Sequence, residues 1–280
     1  MDRVAIVADS SACLPGELVA KHRIRLVALG LNIDGQIRPD GSLTAEELFR
    51  LAESSRARVQ TASPPPGDFL SAFRTEREAG AGAVLCLTLS AAYSGTYSAA
   101  LAGAELAKGE VPVIVVDTGG LAMTHGFAVL GAARALEGGA TVDEAAALAA
   151  RIGRSGKLVG TLDTLRYLVK GGRVPWMVGW AASILHITPV LSFENGSARS
   201  IARPRTWAAA KARMLSQALA VPRPIRVAVM HSAAPERAAE LADAVCEALQ
   251  PLELLVTEFS SVMAVHTGPG FVGLAVCRDE

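Results

Sequence analysis

Three short polar clusters interrupt a chain that is otherwise 51% hydrophobic: Ser94-Gly95-Thr96, Thr61-Ala62-Ser63 and His266-Thr267. The first follows Val84 to Leu89, an apolar run that reads as a buried strand, and precedes a helix predicted to begin near Tyr93. A strand-to-helix junction of this kind directs free backbone N–H groups out of the carboxyl edge of a sheet, where the helix dipole favours negative charge. Two hydroxyls on the junction make an anion, a carboxylate or phosphate, the natural guest. Thr61 and Ser63 sit at the mouth of T-A-S-P-P-P-G-D-F (61–69). Its three consecutive prolines exclude a helix interior or a central strand and stiffen an extended loop. In H-T-G-P-G (266–270), two glycines permit close backbone approach beside the donors His266 and Thr267. Asp9-Ser10-Ser11 follow the first predicted strand, where an α/β sheet usually places its ligand crevice. Arg173, Arg203 and Arg205 could form a cationic surface. Each cluster also reads as an ordinary cap, turn or solvated face. A serine hydrolase is a further reading, with Ser94 as nucleophile, His266 or His231 as base and Asp9 or Asp117 as orienter.

These residues need elements to position them. Val4–Val7 and 24–31 read as strands, with a short helix from Pro15 to His22 between them. Thr44 and Glu47 have capping-box spacing at the start of a helix, as do Thr141 and Glu144. Helices are predicted over 67–79, 93–108, 123–137 and 142–152. Val113–Val116 joins Val84–Leu89 as a Val-rich run suited to a strand buried on both faces. The alternation implies an α/β fold, with an N-terminal three-layer parallel-sheet domain. The polar, glycine-bearing stretch Arg151–Lys157 suggests a boundary, giving domains 1–153 and 154–280. In the second, helices are predicted over 162–170, 176–185, 206–220 and 235–249. A hairpin is expected over 188–201, turning at Asn195-Gly196, with strands at 225–230, 252–259 and 272–277. That pattern describes an α/β domain with a mixed sheet.

Composition narrows the function. Lys plus Arg and Asp plus Glu number 27 each, so no basic bias points to nucleic acid. No apolar run approaches the ~18 residues of a membrane span, and Asp9 interrupts the first apolar run too early for a secretory signal. The chain therefore reads as cytoplasmic, without stable membrane insertion. The four cysteines are scattered and read as buried free thiols. There is no G-x-G-x-x-G after the first strand, no G-x-S-x-G and no zinc-ligand spacing, so neither a metal nor a cofactor is expected.

Taken in order, A-D-S-S, T-A-S-P-P-P-G-D-F, L-S-A-A-Y-S-G-T-Y-S-A-A, V-V-D-T, L-x-Y-L-V-K-G-G-R, I-T-P-V-L, A-R-P-R-T and H-T-G-P-G resemble the DegV family, the fatty acid-binding partners of bacterial fatty acid kinase. The resemblance spans nearly the whole chain. It implies a non-enzymatic protein with no catalytic residue. Such a protein binds a long-chain fatty acid (palmitate, stearate or oleate) and presents its carboxylate to a separate kinase, which makes acyl phosphate for phospholipid synthesis. It places the head group on Thr61 and Ser94 with Gly95, Thr96, His266 and Thr267, and kinase docking on Arg173 and Arg203. The first domain would then carry the carboxylate loops, and the second would contribute to the acyl tunnel and the partner face. The chain departs from the family pattern at Ala62 and Ser63, where Ser and Gln are usual, at Asp117-Thr118 and at His125. A related fold, that of dihydroxyacetone kinase substrate domains, implies the alternative of a small-ketone-binding subunit using His125 or His231.

Overall fold

The computed structural model describes residues 3–54, 58–174, 188–194, 197–223 and 225–278. The chain divides into two compact units, Met1–Gly30 with Ala62–Ser155, and Leu31–Thr61 with Gly156–Asp279. The single division expected after residue 153 is thereby corrected, because Leu31–Thr61 makes its contacts with the later part of the chain.

The first unit contains β1 (Arg3–Asp9), α1 (Gly16–Lys21) and β2 (Arg25–Val27), then α3 (Pro66–Glu78), β6 (Ala81–Thr88), α4 (Thr96–Leu106), β7 (Val113–Asp117), α5 (Met123–Glu137) and α6 (Val142–Ser155). Its four strands pair in parallel in the order β2-β1-β6-β7. The apolar residues of β1 and β6 are almost wholly buried, as continuous apolar strands must be when helices cover both faces. Helices α3 and α4 pack together on this sheet, as do α5 and α6, which gives three layers. Phe69 and Phe73 of α3 are fully buried against Val7, Val84 and Cys86. After β1 the chain turns to β2 on one side, and after β6 to β7 on the other. The carboxyl ends of β1 and β6 therefore flank the topological switch point, where open α/β sheets form their ligand crevice.

The second unit contains β3 (Gly30–Ile33), β4 (Gln36–Pro39), α2 (Ala45–Ser54) and β5 (Val59–Ala62), which form a three-stranded sheet in the order β4-β3-β5 with α2 between β4 and β5 in the chain. It continues with β8 (Lys157–Thr161), α7 (Arg166–Gly171), β9 (Val190–Glu194), β10 (Ser197–Ala202), α8 (Trp207–Leu219), β11 (Ile225–Ser232), α9 (Pro235–Leu249), β12 (Glu253–Glu258), α10 (Ser261–Thr267) and β13 (Phe271–Arg278). The larger sheet runs β10-β9-β8-β13-β11-β12, mixed because only β11 and β12 pair in parallel. Its core joins Val227, Val229, Leu274 and Val276 to Leu241 and Val245 of α9 and Met214 of α8.

Several expectations change. The strand expected over 24–31 breaks in two, because the Leu29 N–H bonds Ser10 Oγ at 3.1 Å instead of continuing the ladder. The helix expected near Tyr93 begins at Thr96, after a turn closed by Tyr93 N–H to Ser90 O at 3.1 Å. Strands β4, β5 and β8 and helix α10 had no counterpart in the sequence reading. The helix expected at 176–185 and the Asn195-Gly196 turn lie outside the described residues, although β9 and β10 do pair as an antiparallel hairpin. Both capping boxes form: Thr44 N–H donates to Glu47 at 2.8 Å, and Thr141 N–H to Glu144 at 2.8 Å.

Candidate functional site

In the first unit, Ser94 and its neighbours occupy the loop after β6. Ser94 Oγ lies 3.1 Å from Ser63 Oγ and 2.8 Å from Thr96 Oγ1, and accepts the Thr96 N–H at 3.3 Å. Three hydroxyls thus meet at the N-terminus of α4. Gly95 occupies the N-cap and has no side chain to close that end. Thr96 is fully buried, Ser94 half-buried and Ser63 exposed, so the cluster faces outward from a fixed base. The sequence places Ser63 beside Thr61 at the mouth of the proline loop, but the head-group set implied by the family resemblance leaves it out. Pro65 and Pro66 start α3 immediately afterwards and fix the direction of its backbone.

Asp9 lies at the carboxyl end of β1 and is fully buried. Its carboxyl accepts from Ser11 N–H at 3.1 Å, Ser11 Oγ–H at 2.5 Å and, across the switch point, Leu89 N–H at 2.7 Å. Asp9 is therefore absorbed in fixing the loops. It does not orient a base toward Ser94.

In the second unit, Thr61 Oγ1 and His266 Nε2 lie 3.0 Å apart. Thr61 is on β5, and His266 is on the last turn of α10. Asp40 Oδ1 holds the start of that helix, accepting from Ser261 Oγ–H and Val262 N–H at 3.0 Å each. His266 and Thr61 line a cavity of about 100 Å³ together with Tyr167, Lys170, Gly171 and Arg173. That volume suits a head group, being well below the roughly 300 Å³ that begins the range for drug-sized ligands. His266 Nδ1 is buried with no hydrogen-bond partner among the described residues. It faces Gly171, where an added Cβ would come within 2.5 Å. Thr267 is buried and donates to Met263 O at 3.4 Å, so its hydroxyl is turned into the helix. Arg173 is exposed at the cavity rim and donates to Gly171 O at 2.8 Å, whereas Arg203 is an exposed residue outside the cavity lining.

The expected set therefore falls into two hydrogen-bonded groups. Ser94, Gly95 and Thr96 gather with Ser63 in the first unit, and Thr61 pairs with His266 in the second. Among the described residues, no group of three or more His, Cys, Asp or Glu side chains could hold a metal ion, and no helix is long and apolar enough to cross a membrane.

Burial lowers the His266 pKa to about 4, and the positive charge of Arg173 adds to the effect. The folded protein therefore holds the imidazole neutral, while the unfolded chain takes up its proton near pH 6.5. A depressed folded-state pKa gives stability that is present above the unfolded value and lost as pH falls toward the folded one. The loss assigned to His266 is about 3 kcal/mol by pH 4. Urea unfolding of the wild type and of His266→Gln at pH 7 and pH 4.5 checks this. The variant should decline less on acidification, and parallel declines would refute the assignment.

With a hydroxyl-lined helix terminus at the switch point of one unit and a small, histidine-lined cavity in the other, the chain is a two-unit α/β protein with one parallel and one mixed sheet. Residues 3–279 match the DegV family, described as uncharacterised proteins, and the chain belongs to that family. A DegV domain-containing protein of Streptomyces coelicolor is 37% identical over 98% of both chains. Among solved structures, a fatty acid-binding DegV family protein from Thermus thermophilus is 31% identical. It superposes with a TM-score of 0.90 over 99% of this chain and 100% of the other. A DegV lipid binding protein from Thermotoga maritima is 27% identical, with a TM-score of 0.86 over 98% of each chain.

Proposed function

We propose that this protein binds a long-chain fatty acid and presents its carboxylate to a separate fatty acid kinase. The observation that carries the reading is the cluster of Ser63, Ser94 and Thr96 hydroxyls at the N-terminus of α4, on the switch point of the parallel sheet. Hydroxyls and a helix terminus hold an anion through neutral donors. A carboxylate so held remains free to accept a phosphoryl group, which a lysine or arginine locked onto it would hinder. Thr61 and His266 supply a second set of donors, which the resemblance in sequence assigns to the same head group. The solved relatives from Thermus and Thermotoga, described as fatty acid-binding and lipid binding, support the ligand class.

The energetics are adequate. Burying about 14 methylenes offers roughly 11 kcal/mol at ~0.8 kcal/mol each, before the cost of association. Hydrogen bonds to the charged head group, at ~1.5–3 kcal/mol each, offset its desolvation.

The protein contributes binding and presentation, and no residue acts as a nucleophile. Ser94 Oγ is bonded to hydroxyls and a backbone N–H, while the imidazoles of His125 and His266 are bonded to Thr118 and Thr61. A serine nucleophile needs a base within hydrogen-bond reach, and Ser94 has no imidazole among these partners. Arg173 and Arg203 offer exposed positive charge for a kinase surface, and Arg173 does so at the cavity rim.

Native mass spectrometry of the purified protein, followed by denaturing lipid extraction, tests the reading. One adduct released as a long-chain fatty acid is expected, and addition of fatty acid kinase and ATP should convert it to acyl phosphate. A protein that neither carries nor takes up fatty acid would overturn the binding reading. A loaded protein that no fatty acid kinase acts upon would overturn presentation alone.

A further inference from the structure

His125, near the start of α5, is fully buried and has no place in the head-group assignment. Its Nδ1 lies 3.1 Å from Thr118 Oγ1. That hydroxyl donates to Thr88 O at 2.9 Å and accepts the Gly120 N–H at 3.2 Å. With the hydroxyl proton committed to Thr88, Nδ1 must be the donor to Thr118. Burial lowers the His125 pKa against the opposing pull of Asp9 and Asp117, so the neutral ring carries its one proton on Nδ1. Nε2 is then a bare lone pair, 3.6 Å from Asp9 Oδ2 and without a hydrogen-bond partner among the described residues. An unfilled buried acceptor beside a carboxyl is costly, and an apolar side chain of similar volume would avoid that cost. Packing alone therefore does not account for a histidine here.

The hydrogen bonds give a different account. The peptide unit between Thr88 and Leu89 is the last before the loop that carries Ser94. Its carbonyl accepts from both the Thr118 hydroxyl and the Thr118 N–H, the latter at 3.1 Å. Its N–H donates to Asp9 at 2.7 Å. One residue on, Ser90 N–H donates to Gly120 O at 2.8 Å. The loops after β1, β6 and β7 are thus joined at a single peptide unit. The donation from His125 occupies the Thr118 oxygen, so the hydroxyl proton is left to point at Thr88.

We propose that His125 is a positioning residue for the Ser94 anchor. By setting the Thr118 hydroxyl it fixes the peptide unit from which the Ser90–Thr96 loop departs. The proposal rests on the reading of Ser94 as head-group anchor, and the test separates the two.

Hydrogen exchange of the Leu89 and Ser90 amides, relative to Leu85 and Cys86 inside β6, would be measured in wild type, His125→Leu and His125→Asn. Palmitate affinity would be measured on the same proteins. In His125→Leu both loop amides should exchange at least tenfold faster and palmitate should bind at least fivefold more weakly. Asparagine can place an amide N–H where Nδ1 donates, so His125→Asn should recover most of both. Wild-type exchange in His125→Leu would overturn the proposal, as would faster exchange with unchanged palmitate affinity. Should His125→Leu not fold, His125→Asn decides: near-wild-type exchange supports the proposal, and loosened loop amides overturn it. If wild type itself takes no palmitate, the fatty acid reading fails, while the exchange rates still decide whether His125 holds the loop.

Discussion

Gly268→Ala is expected to destabilise the second unit by at least about 3 kcal/mol, which combines backbone strain with overpacking. Gly268 closes α10 with φ 75° and ψ 177°, a region that is essentially open to glycine alone. An added Cβ would also lie 2.3 Å from Cδ2 of Tyr167 and 2.8 Å from its Cγ, so the whole ring would have to move. That ring packs edge-on against Phe49 with centroids 5.9 Å apart, and it lines the cavity of Thr61 and His266. The damage should therefore reach the cavity as well as the fold. Gly172→Ala is the control: it has φ 69° in the same unit, and its added Cβ meets nothing within 4 Å. Strain alone should cost it about 1 kcal/mol. Urea midpoints at unchanged slope give both numbers. If the two variants lose the same stability, the Tyr167 clash is not real.

That glycine also shows where sequence reading stops. H-T-G-P-G reads as a turn with two permissive glycines, and the turn is there. Its first two residues, however, complete a seven-residue helix whose start is held by Asp40, more than 200 residues upstream. No local pattern announces a helix capped from so far away. β8 was missed for a similar reason. Gly160 interrupts its apolar run, and the glycine is required because the Phe271 ring of the paired strand would lie 2.5 Å from a Cβ. The small sheet of β3, β4 and β5 is built from four-residue strands, one of them wholly exposed, so neither apolar runs nor alternation marks it. What was legible is what depends on neighbours in sequence: strands apolar along their whole length, both capping boxes and the strand–loop–helix run around Ser94. The pairing of Thr61 with His266 spans 205 positions and follows from no spacing. Only the order of motifs shared with a family links those two residues. Ser63, which stands where that family usually has another residue, became part of the hydroxyl cluster through a contact 31 positions away.

Ser94→Ala is expected to weaken fatty acid binding by one to two orders of magnitude while leaving the fold intact. A hydrogen bond to a charged group is worth about 1.5–3 kcal/mol, and each 1.4 kcal/mol is about tenfold in affinity. Ser94 also supports Thr96, whose hydroxyl loses a partner at 2.8 Å and whose N–H loses an acceptor at 3.3 Å, so the loss should lie toward the upper end. The fold should persist, because Ser94 is only half-buried. Displacement of a fluorescent fatty acid gives the affinity, and a thermal melt gives the fold. Affinity within twofold of wild type would remove Ser94 from the head group. The more searching variant is the pair of Ser94→Ala with Thr61→Val, which deletes one hydroxyl from each hydrogen-bonded group at nearly constant volume. If both hydroxyls grip one carboxylate, losing the first lets the head group shift, and the second then costs less than it does alone. Groups that share a partner couple by about 0.5–3 kcal/mol. If instead the losses add, the two groups act independently, and Thr61 with His266 serves something other than the carboxylate that Ser94 holds. The cycle thus measures in solution whether one ligand unites residues that the sequence places 33 positions apart.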